Sequence, residues 1–588
     1  MPVDPTNLNL LWTSLLIEEL IRHGSNYFCL SPGSRSAPLA VAIARNPRAN
    51  ALVCYDERAA AFHALGWARA TGRPAVLACT SGTAMAHYLP AIVEAAQDGV
   101  PMLILTADRP PELIDVGANQ AIRQSGLYRE YVRWSCDFPC PSLDVPPQWV
   151  LSTADQALYR CLEPEPGPVH LNLPFREPLA PQPQQIPAAC LEGIQVWLGH
   201  DKPYCAVSGE AISANSEVWD ELVDRLNSTR KGLVILGKLR PAEREGLIPL
   251  LGLLGWPVFA DALSGLSLNS GLTPLVPHFD QLLEAEAFRA ACQPQTVLQI
   301  GGGFVSGRLL KHLAACPPRH YFQLLADTVR QDPNHQVTHR VHGKLIGNYG
   351  QLILEAEPDP DPDFGRVLQE MARKAEAVFA GLDQAEDLSE PGVARLLTQL
   401  APASHVLMLG NSLPVREVDG FAAPRTAALD VFANRGTSGI DGHVATAAGI
   451  AAGRRVPVTL LCGDLTLFHD LNSLHLLSRI DQPVTIVVIN NGGGGIFSFL
   501  PIHEHEDIFE PWFGTPHQLS FAGAASMFGL DYCLPASRSE LVQALQKSWA
   551  QGSPALIEVV TQRPATLALH RQLQQQLTTK LSEQEHKT

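Results

Sequence analysis

Short apolar runs alternate with stretches of helical periodicity along most of this chain. Residues 27–30, 102–107, 296–300 and 484–489 are largely apolar runs of strand length. Between such runs, apolar residues recur at three- and four-residue intervals, as they do on one face of a helix. The first helical stretch, Leu8–His23, predicts an amphipathic helix. The alternation predicts an α/β fold in which helices flank parallel sheets.

Two proline-rich segments interrupt the alternation. They are residues 174–187, PFREPLAPQPQQIP, and residues 357–364, EPDPDPDF. Proline at this density disfavours regular structure, so both segments are predicted to be linkers. A chain of 588 residues is also too long for one hydrophobic core. We therefore expect three domains, at residues 1–185, 190–355 and 365–588.

The first and third of these parts share a ladder of glycine, proline and strand-end positions. In both, the ladder predicts the order helix, turn, strand, loop, helix, turn and strand, which indicates an internal duplication. In the first part the steps are 8, 5, 22 and 7 residues, along the series Gly66, Pro74, Cys79, Pro101 and Asp108. In the third part they are 8, 5, 21 and 7 residues, along the series Gly449, Pro457, Cys462, Pro483 and Asn490.

Composition and charge exclude several classes of protein. A net charge of −16 argues against nucleic-acid binding, which depends on clustered Lys and Arg. No apolar run approaches the ~18 residues of a membrane span, and Asp4, Glu18 and Glu19 interrupt the beginning of the chain where a signal peptide would be apolar. Most of the twelve cysteines lie apart within apolar runs, and the single close pair, Cys136 and Cys140, has no second pair to complete a zinc site. Free buried thiols predict a cytoplasmic protein.

Two strand ends in the third part carry ligands suited to a cation. Asp464 follows the apolar run 458–462, and Asn491 follows the run 484–489 and precedes four glycines. The carboxyl ends of parallel strands face one crevice, so these side chains should meet there. A carboxylate, an amide oxygen and a bare backbone carbonyl suit Mg²⁺, which also retains phosphate oxygens. The predicted metal ligands are Asp464, Asn491 and the carbonyl of Gly493.

These motifs resemble those of a known enzyme family. Gly-Asp, followed within thirty residues by Asn-Asn, is similar to the magnesium–diphosphate motif of thiamine diphosphate (ThDP) enzymes. The flanking segments NRGTSGIDG (434–442) and NNGGGGIFSFLP (490–501) resemble one family of synthases within that group. These synthases belong to menaquinone and phylloquinone biosynthesis. They decarboxylate 2-oxoglutarate and add the succinyl carbanion to isochorismate in a 1,4-addition.

The resemblance implies an organisation and a set of cofactors. The first domain would bind the aminopyrimidine ring, the third would bind the diphosphate with Mg²⁺ or Mn²⁺, and the central domain would be Rossmann-like. Because the cofactor in such enzymes lies between domains of two chains, a homodimer or homotetramer is implied. The cofactor-binding residues implied by the resemblance are Glu57, Ser438, Ile440, Gly463, Leu465, Asn491 and Ile496.

Glu57 is the predicted catalytic residue. It lies in the segment DERAAAF (56–62), between the apolar run 52–55 and the helix predicted at 58–71. In ThDP enzymes a shielded glutamate contacts the pyrimidine N1′ and favours the tautomer that removes the proton from the thiazolium ring. The alternative is an acid at a helix N-terminus, which stabilises the helix dipole by ~0.3–1 kcal/mol. Ile440 would bend the cofactor so that its two rings meet.

Arginines near strand ends are expected to bind the substrates. Guanidinium groups match carboxylates bidentately, and both implied substrates are dicarboxylates. By resemblance, isochorismate would contact Ser34, Arg35, Arg109 and Gln120. The succinyl part from 2-oxoglutarate would contact Ser412, Arg416 and Arg435. An apolar wall that keeps water from the carbanion would include Ile496, Phe497 and Leu500.

Other interpretations stay open at this point. An acetohydroxyacid-synthase-like enzyme or another ThDP-dependent 2-oxoacid decarboxylase would need fewer arginines. A flavin- or nicotinamide-binding protein is suggested by the glycines at 301–303 and 307, with Ser306 at the place of the third fingerprint glycine and Asp327 further on. A non-catalytic protein could also retain the fold. The segment His503–Asp507 is predicted to be an exposed loop or lid.

Overall fold

The computed structural model describes residues 3–205, 216–272 and 274–583. In these ranges the strands form three parallel sheets, of six, five and six strands. The described residues divide into two compact units. The first unit combines the first sheet with residues 434–456 and 468–484, and the second unit contains the second sheet and the rest of the third-sheet region.

The first sheet has the order β2-β1-β3-β4-β6-β5. Its strands are β1 (Tyr27–Leu30), β2 (Asn50–Val53), β3 (Ala75–Cys79), β4 (Met102–Asp108), β5 (Trp134–Asp137) and β6 (Pro168–Pro174). The helices of this region are α1 (Leu8–Arg22), α2 (Ala37–Arg45), α3 (Glu57–Thr71), α4 (Thr83–His87), α5 (Leu89–Asp98) and α6 (Pro147–Leu162). An apolar core lies between the sheet and α1, α2 and α6.

The second sheet has the order β11-β10-β9-β7-β8. Its strands are β7 (Gly232–Leu236), β8 (Val258–Ala260), β9 (Thr296–Ile300), β10 (His320–Leu325) and β11 (His339–His342). Helix α7 (Gln195–Leu198) lies in the first unit, where Trp197 joins the apolar core of the first sheet. The helices of the second sheet are α8 (Ser216–Ser228), α9 (Leu247–Leu254), α10 (Phe279–Leu282), α11 (Glu286–Ala291), α12 (Gly307–Ala315) and α13 (Leu345–Glu355). Alternate residues of the strands contribute to two apolar clusters, so both faces of this sheet are covered.

The third sheet has the order β13-β12-β14-β15-β17-β16. Its strands are β12 (Val406–Leu409), β13 (Asp430–Ala433), β14 (Val458–Gly463), β15 (Val484–Asn490), β16 (Asp531–Cys533) and β17 (Ala555–Val560). The helices are α14 (Pro362–Phe379), α15 (Glu390–Leu400), α16 (Leu413–Phe421), α17 (His443–Arg454), α18 (Asp464–His469), α19 (Glu506–Phe509), α20 (Ala522–Phe528), α21 (Arg538–Gln551) and α22 (Arg563–Ser582). Strand for strand, this is the order of the first sheet.

The duplication extends to the crossing of helices α3 and α17. A Cβ atom on Gly66 would lie 2.1 Å from the carbonyl oxygen of Thr446, and one on Gly449 would lie 2.0 Å from the carbonyl oxygen of His63. Each of these carbonyls precedes the glycine of its own helix by three residues, so the two halves of the contact are equivalent. Gly66 and Gly449, the first positions of the two ladders, therefore have a packing role, because any side chain there would push the helices apart.

Helix α1 is not the amphipathic helix that its sequence predicts, because it is buried on nearly every side. Its acidic residues are paired inside the protein and do not face water. Glu18 accepts hydrogen bonds from Arg22 Nε at 2.8 Å and from Asn46 Nδ2 at 2.9 Å. Glu19 accepts from the indole of Trp197 and from the backbone amide of Tyr204. A polar residue whose partners lie far along the chain looks like a solvent-facing one in the sequence.

Two further predictions differ from the structure. The second predicted linker is partly helical, since α14 begins at Pro362, where Asp361 caps it and proline fits the first helical position. Leu471, Leu474 and Leu477 recur near a helical period and so predict an α-helix, but they lie in a 3₁₀-helix, Leu471–Ser478. Their spacing of three residues matches the three residues per turn of a 3₁₀-helix. Among the described helices, none is both long and apolar enough to cross a membrane.

The glycines that suggest a dinucleotide fingerprint serve loop packing in the second sheet. Lys238, after β7, donates its backbone N–H to the carbonyl of Gly303 at 3.0 Å, and Gly302 donates to the carbonyl of Lys238 at 2.9 Å. A Cβ atom on Gly237 would lie 1.9 Å from the carbonyl oxygen of Gly302. Ser306 caps α12 by accepting from the amide of Leu309. Close contact between two loops thus accounts for the glycines without a nucleotide.

Candidate active site

Asp464 lies at the start of α18, directly after β14, and is 2% exposed. Its Oδ1 accepts a hydrogen bond from the amide of Leu465 at 2.6 Å, and its Oδ2 accepts from the amide of Gly493 at 3.0 Å. The Nε2 atom of His517 lies 3.2 Å from the same Oδ2. Burial raises the pKa of Asp464, and these amides and the imidazole oppose that effect. The structure thus brings the two predicted strand ends together.

Asn491 presents a buried oxygen without a partner. Its Nδ2 donates to Glu390 Oε1 at 3.0 Å, whereas its Oδ1 is buried and accepts no hydrogen bond within the described ranges. Gly493 has a φ of 141°, which strongly favours glycine, and its carbonyl accepts from the amide of Gly495 at 2.9 Å. A buried carboxylate and an unsatisfied amide oxygen are the hard ligands that Mg²⁺ or Mn²⁺ takes, so this donor set fits a divalent cation.

Glu390 and Glu417 form an acidic pair behind Asn491 that the sequence analysis missed. Burial and the nearby charge of Glu417 raise the pKa of Glu390 to about 7, while hydrogen bonds from Asn491 and Thr566 oppose the shift. Glu417 Oε1 lies 2.9 Å from His570 Nε2. In the sequence, Glu390 follows Ser389 at a helix start and is indistinguishable from a surface acid in the first turn.

Glu57 is the first residue of α3 and is partly buried. The cap of this helix is the preceding residue, Asp56, whose Oδ1 accepts from the amides of Arg58 at 2.8 Å and Ala59 at 3.3 Å. Burial raises the pKa of the Cys79 thiol at the end of β3, and the charge of Glu57 raises it further. Since Asp56 performs the capping, the carboxylate of Glu57 is available for another role at the ends of the strands.

Arg35 and Arg109 form a pair of guanidinium groups. Arg35 is 5% exposed, donates from Nη1 to the carbonyl of Phe175 at 2.7 Å, and has Glu177 3.5 Å from Nη2. The Nε atoms of Arg35 and Arg109 are both buried and have no hydrogen-bond partner in the described chain. Burial lowers the pKa of Arg35, and the positive charge of Arg109 lowers it further. Two neighbouring cations with unsatisfied donors are suited to a bound anion.

The other residues predicted for isochorismate lie on exposed loops. Ser34 is exposed in the turn before α2. Gln120 is exposed and has a φ of 57°, a left-handed conformation that is uncommon outside glycine. Its Nε2 donates to the carbonyl of Ser81 at 2.8 Å, and Ser81 Oγ donates back to the carbonyl of Gln120 at 3.1 Å. The loop of Gln120 is therefore fixed to the loop that follows β3.

Ser412 has the strained backbone that is frequent at functional sites. Its φ of 71° and ψ of −126° place a non-glycine residue in a sparsely populated region just before α16. Arg416, one turn into that helix, is exposed and donates from Nη1 to the carbonyl of Ser412 at 2.5 Å. The structure thus brings together these two residues predicted for 2-oxoglutarate.

Arg435, Ser438 and Ile440 lie on one loop, which is held by a residue that the sequence analysis missed. Glu94 of α5 is 2% exposed and accepts from the backbone amides of Gly436 at 2.8 Å and Thr437 at 2.7 Å. Arg435 and Ile440 are partly buried, and Ser438 is exposed with a φ of 60°. No local pattern reveals this role of Glu94, because the loop that it holds lies more than 340 residues further along the chain.

The predicted apolar wall and the remaining cofactor residues lie close to the ends of β14 and β15. Gly463 and Leu465 flank Asp464 and are partly buried. Ile496 and Phe497 are partly buried in the segment that follows the glycines, and Leu500 is 47% exposed. The segment 503–507 is mostly exposed and contains part of a 3₁₀-helix and the beginning of α19.

The predicted site residues fall into two groups, one in each compact unit. The first unit holds Ser34, Arg35, Glu57, Arg109, Gln120, Arg435, Ser438 and Ile440. The second unit holds Ser412, Arg416, Gly463, Asp464, Leu465, Asn491, Gly493, Ile496, Phe497 and Leu500.

Comparison with known proteins identifies the domains. The sequence matches the N-terminal TPP binding domain of thiamine pyrophosphate enzymes over residues 12–127, their middle domain over residues 188–409 and their C-terminal TPP binding domain over residues 420–559. Among solved structures, benzoylformate decarboxylase from Polynucleobacter necessarius superposes with a TM-score of 0.70 at 16% identity, covering 94% of this chain and 98% of that one. At this identity the likeness concerns the fold, and it agrees with the predicted α/β class.

Two relatives are similar over nearly the whole chain. A protein of Rubrobacter xylanophilus is 48% identical over 96% of this chain and 98% of its own length. One of Salinibacter ruber is 45% identical over 97% of each chain. Both are 2-succinyl-5-enolpyruvyl-6-hydroxy-3-cyclohexene-1-carboxylate synthases, which confirms the family resemblance read from the motifs. The chain therefore belongs to the 2-succinyl-5-enolpyruvyl-6-hydroxy-3-cyclohexene-1-carboxylate synthase family of ThDP-dependent enzymes.

Proposed function

We propose that this enzyme decarboxylates 2-oxoglutarate and joins the remaining succinyl unit to isochorismate by 1,4-addition. The products are CO₂ and 2-succinyl-5-enolpyruvyl-6-hydroxy-3-cyclohexene-1-carboxylate, a step of menaquinone or phylloquinone biosynthesis. The names of the relatives support the reaction. The structural observation that supports it most directly is the pair of neighbouring guanidinium groups, Arg35 and Arg109, each with a buried and unpartnered Nε atom.

In this proposal Glu57 is the catalytic acid–base group. When bound, ThDP would supply a nucleophilic carbon for the 2-oxo group and an acceptor for the electrons released with CO₂. Glu57 contacts the pyrimidine ring and holds or releases the proton that controls its tautomer. Its place at the start of α3, beside a separate capping residue, supports this role. Gly463, Leu465, Ser438, Ile440 and Ile496 line the cofactor.

The diphosphate is held through a divalent cation. Asp464, the Oδ1 atom of Asn491 and the carbonyl of Gly493 are the proposed ligands of Mg²⁺ or Mn²⁺. The unpartnered buried Oδ1 of Asn491 and the buried carboxylate of Asp464 support this assignment. The cation neutralises the diphosphate charge, which a chain with a net charge of −16 would otherwise repel.

The substrates are distinguished by separate sets of polar residues. Isochorismate binds Arg35 and Arg109, together with Ser34 and Gln120. The carboxylates of 2-oxoglutarate bind Ser412, Arg416 and Arg435. A hydrogen bond to a charged group contributes about 1.5–3 kcal/mol, so several arginines are needed to offset desolvation of four carboxylates. Phe497 and Leu500 exclude water from the reacting carbon.

The same proposal covers the organisation of the enzyme. The domains are 1–185 for the pyrimidine ring, 190–355 as a central Rossmann-like domain and 365–588 for the diphosphate and metal. The enzyme works as a homodimer or homotetramer. A cytoplasmic location is supported by the free cysteines, most of which are buried or half-buried.

Product analysis tests this function. Purified protein is incubated with 2-oxoglutarate and isochorismate, with or without ThDP and Mg²⁺, and the products are followed by mass spectrometry. We expect the succinyl adduct and CO₂ only when both cofactors are present. Replacement of 2-oxoglutarate by pyruvate is the matched control. An equal yield of adduct from pyruvate, or no adduct with both cofactors, would contradict the proposal.

A further inference from the structure

The two ends of the Asn491 side chain have different surroundings. The amide nitrogen donates to Glu390 Oε1 at 3.0 Å, and the amide oxygen is buried without a partner among the described residues. An amide that rotated by half a turn would direct its oxygen at Glu390, and two acceptors would then face each other. Glu390 thus determines which end of Asn491 faces the candidate cation site.

Glu390 is itself held in place by groups other than Asn491. It opens α15, it is 4% exposed, and its Oε1 also accepts from Thr566 Oγ1 at 3.1 Å and Thr561 Oγ1 at 3.4 Å. All three donors converge on the same oxygen atom. That oxygen accepts hydrogen bonds whether or not the other carboxyl oxygen carries a proton. The orientation of Asn491 therefore does not depend on the charge of Glu390.

Gly495 leaves the space that this hydrogen bond needs. A Cβ atom at this position would lie 2.6 Å from Asn491 Nδ2 and 3.4 Å from Leu413 Cδ1. The atom that would have to move is the terminal amide nitrogen, which is the atom that donates to Glu390. Gly495, the fourth residue after Asn491, thus has a steric consequence for the amide that is separate from any contact with phosphate.

We propose that Glu390 is a positioning residue that turns the Asn491 amide oxygen towards the cation of the diphosphate site. The inference builds on the proposed function, because that function makes Asn491 a metal ligand. Residues that hydrogen-bond to metal ligands fix their orientation, and their loss commonly weakens metal binding by about 10- to 100-fold. Glu390 acts through Asn491 and does not contact the cation itself.

The test measures metal binding directly, without turnover. Mn²⁺ is titrated into the full-length protein at saturating ThDP, and free Mn²⁺ is followed by electron paramagnetic resonance. We expect Glu390→Leu to weaken Mn²⁺ binding about 10- to 100-fold. We expect Glu390→Gln to bind within about threefold of wild type, since a glutamine oxygen can still accept from Asn491.

Two comparisons separate orientation from other causes. Glu417→Leu removes a neighbouring buried acid that does not contact Asn491, so it should leave Mn²⁺ affinity within about threefold of wild type. An equal loss in Glu417→Leu and Glu390→Leu would overturn the proposal. An equal loss in Glu390→Gln and Glu390→Leu would also overturn it, because charge rather than orientation would then be the cause.

A smaller change keeps the test valid if Glu390→Leu does not fold. Gly495→Ala displaces the amide nitrogen and should weaken Mn²⁺ binding about tenfold. Gly523→Ala, at a site where nothing lies within 4 Å of a new Cβ, is the matched control and should bind normally. Unchanged affinity in Gly495→Ala would overturn the inference. Absence of Mn²⁺ binding in wild type would instead reject the proposed metal site.

Discussion

The first and third sheets share one strand order, but equivalent strand ends carry different polar and charged groups. Two residues after the matched Cys79 and Cys462, the first sheet has Ser81 and the third has Asp464. One residue after the matched positions 108 and 490, the first has Arg109 and the third has Asn491. The strand ends of the first sheet thus present a guanidinium group whose Nε atom has no hydrogen-bond partner among the described residues. The strand ends of the third sheet present a carboxylate and an amide oxygen that also lacks such a partner.

This difference shows how two copies of one scaffold can carry different binding groups at equivalent strand ends. Parallel strands bring the same loops together in both copies. Whether the loops bind an anion or a cation depends on single side chains and on their neighbours. Arg109 lies beside Arg35 in the first copy, whereas Asp464 lies beside the amide of Gly493 in the third.

Asp464→Ser gives the third sheet the residue type that the first sheet has at the matched position, Ser81. We expect Mn²⁺ binding in the presence of ThDP to be lost and turnover to fall below detection, because the charged ligand is removed. Isothermal titration calorimetry and the product assay measure the two effects. Ser81→Ala, at the matched position of the first copy, should bind Mn²⁺ normally. Retention of Mn²⁺ binding by Asp464→Ser would show that the metal lies elsewhere.

Glu57→Gln removes the acid proposed for the pyrimidine ring. We expect kcat to fall about 10²- to 10⁴-fold, the usual contribution of a general acid–base group, while Mn²⁺ affinity is unchanged. The control is Asp56→Asn, since asparagine caps a helix as well as aspartate does. Steady-state kinetics at saturating ThDP measure kcat for the two variants. A similar fall in both variants would indicate that only the start of α3 had been disturbed.

Arg109→Ala should affect one substrate selectively. Loss of a charged hydrogen bond of about 1.5–3 kcal/mol corresponds to a rise of about 10- to 150-fold in KM for isochorismate. The KM for 2-oxoglutarate should stay within about twofold, and Arg435→Ala should show the reverse selectivity. Arg109→Lys should recover little, because lysine lacks the planar fork. Equal changes in the KM values for the two substrates would contradict the assignment of these arginines to different substrates.

Two buried histidines of the first copy should make the chain sensitive to acid. His63 and His170 are buried, and burial lowers the pKa of His63 to about 3 and that of His170 to about 4. Below pH ~6.5 the unfolded chain binds protons that these folded histidines do not. Stability is therefore complete above pH ~6.5 and falls towards pH 4, by up to about 1.4 kcal/mol per pH unit for each histidine.

His170→Gln tests the size of this effect. Its neighbour Thr106 can still form a hydrogen bond, and the position that corresponds to His170 in β17 of the third sheet is Leu556. The pH dependence of the free energy of unfolding, measured by urea denaturation between pH 4 and 6, should become shallower by up to about 1.4 kcal/mol per pH unit. At pH 7.5 the titration of His170 should make no contribution to the free energy of unfolding. An unchanged slope would place the acid sensitivity outside His170.

Much of the fold follows from local patterns in the sequence. The apolar runs at 27–30 and 296–300 are strands with these limits, and the runs at 102–107 and 484–489 are each one residue longer at the end. The repeated ladder of glycines and prolines predicts the shared topology of the two outer sheets. The errors arise where long-range partners override a local pattern. Helix α1 is buried on nearly all sides because distant residues pair with Glu18 and Glu19.

The candidate site was only partly accessible from sequence. Glu57, Asp464 and Asn491 stand at the ends of apolar runs in motifs with fixed spacing, so a local reading can select them. Glu94 and Glu390 cannot be selected in this way. Each is an acid on a helix, and its function depends on a backbone amide or a side chain about 100 or more residues away.

The sequence by itself determined the class of fold, the duplication and the residue types at the strand ends, because these depend on periodicity and spacing along the chain. Tertiary structure alone decided which of those side chains are left unsatisfied. Burial removes water from Asn491 Oδ1 and from the Nε atoms of Arg35 and Arg109, and no partner among the described residues replaces it. A buried polar atom without a partner is costly. At these strand ends such atoms are candidate positions for ligand binding, and the amino-acid sequence alone does not reveal them.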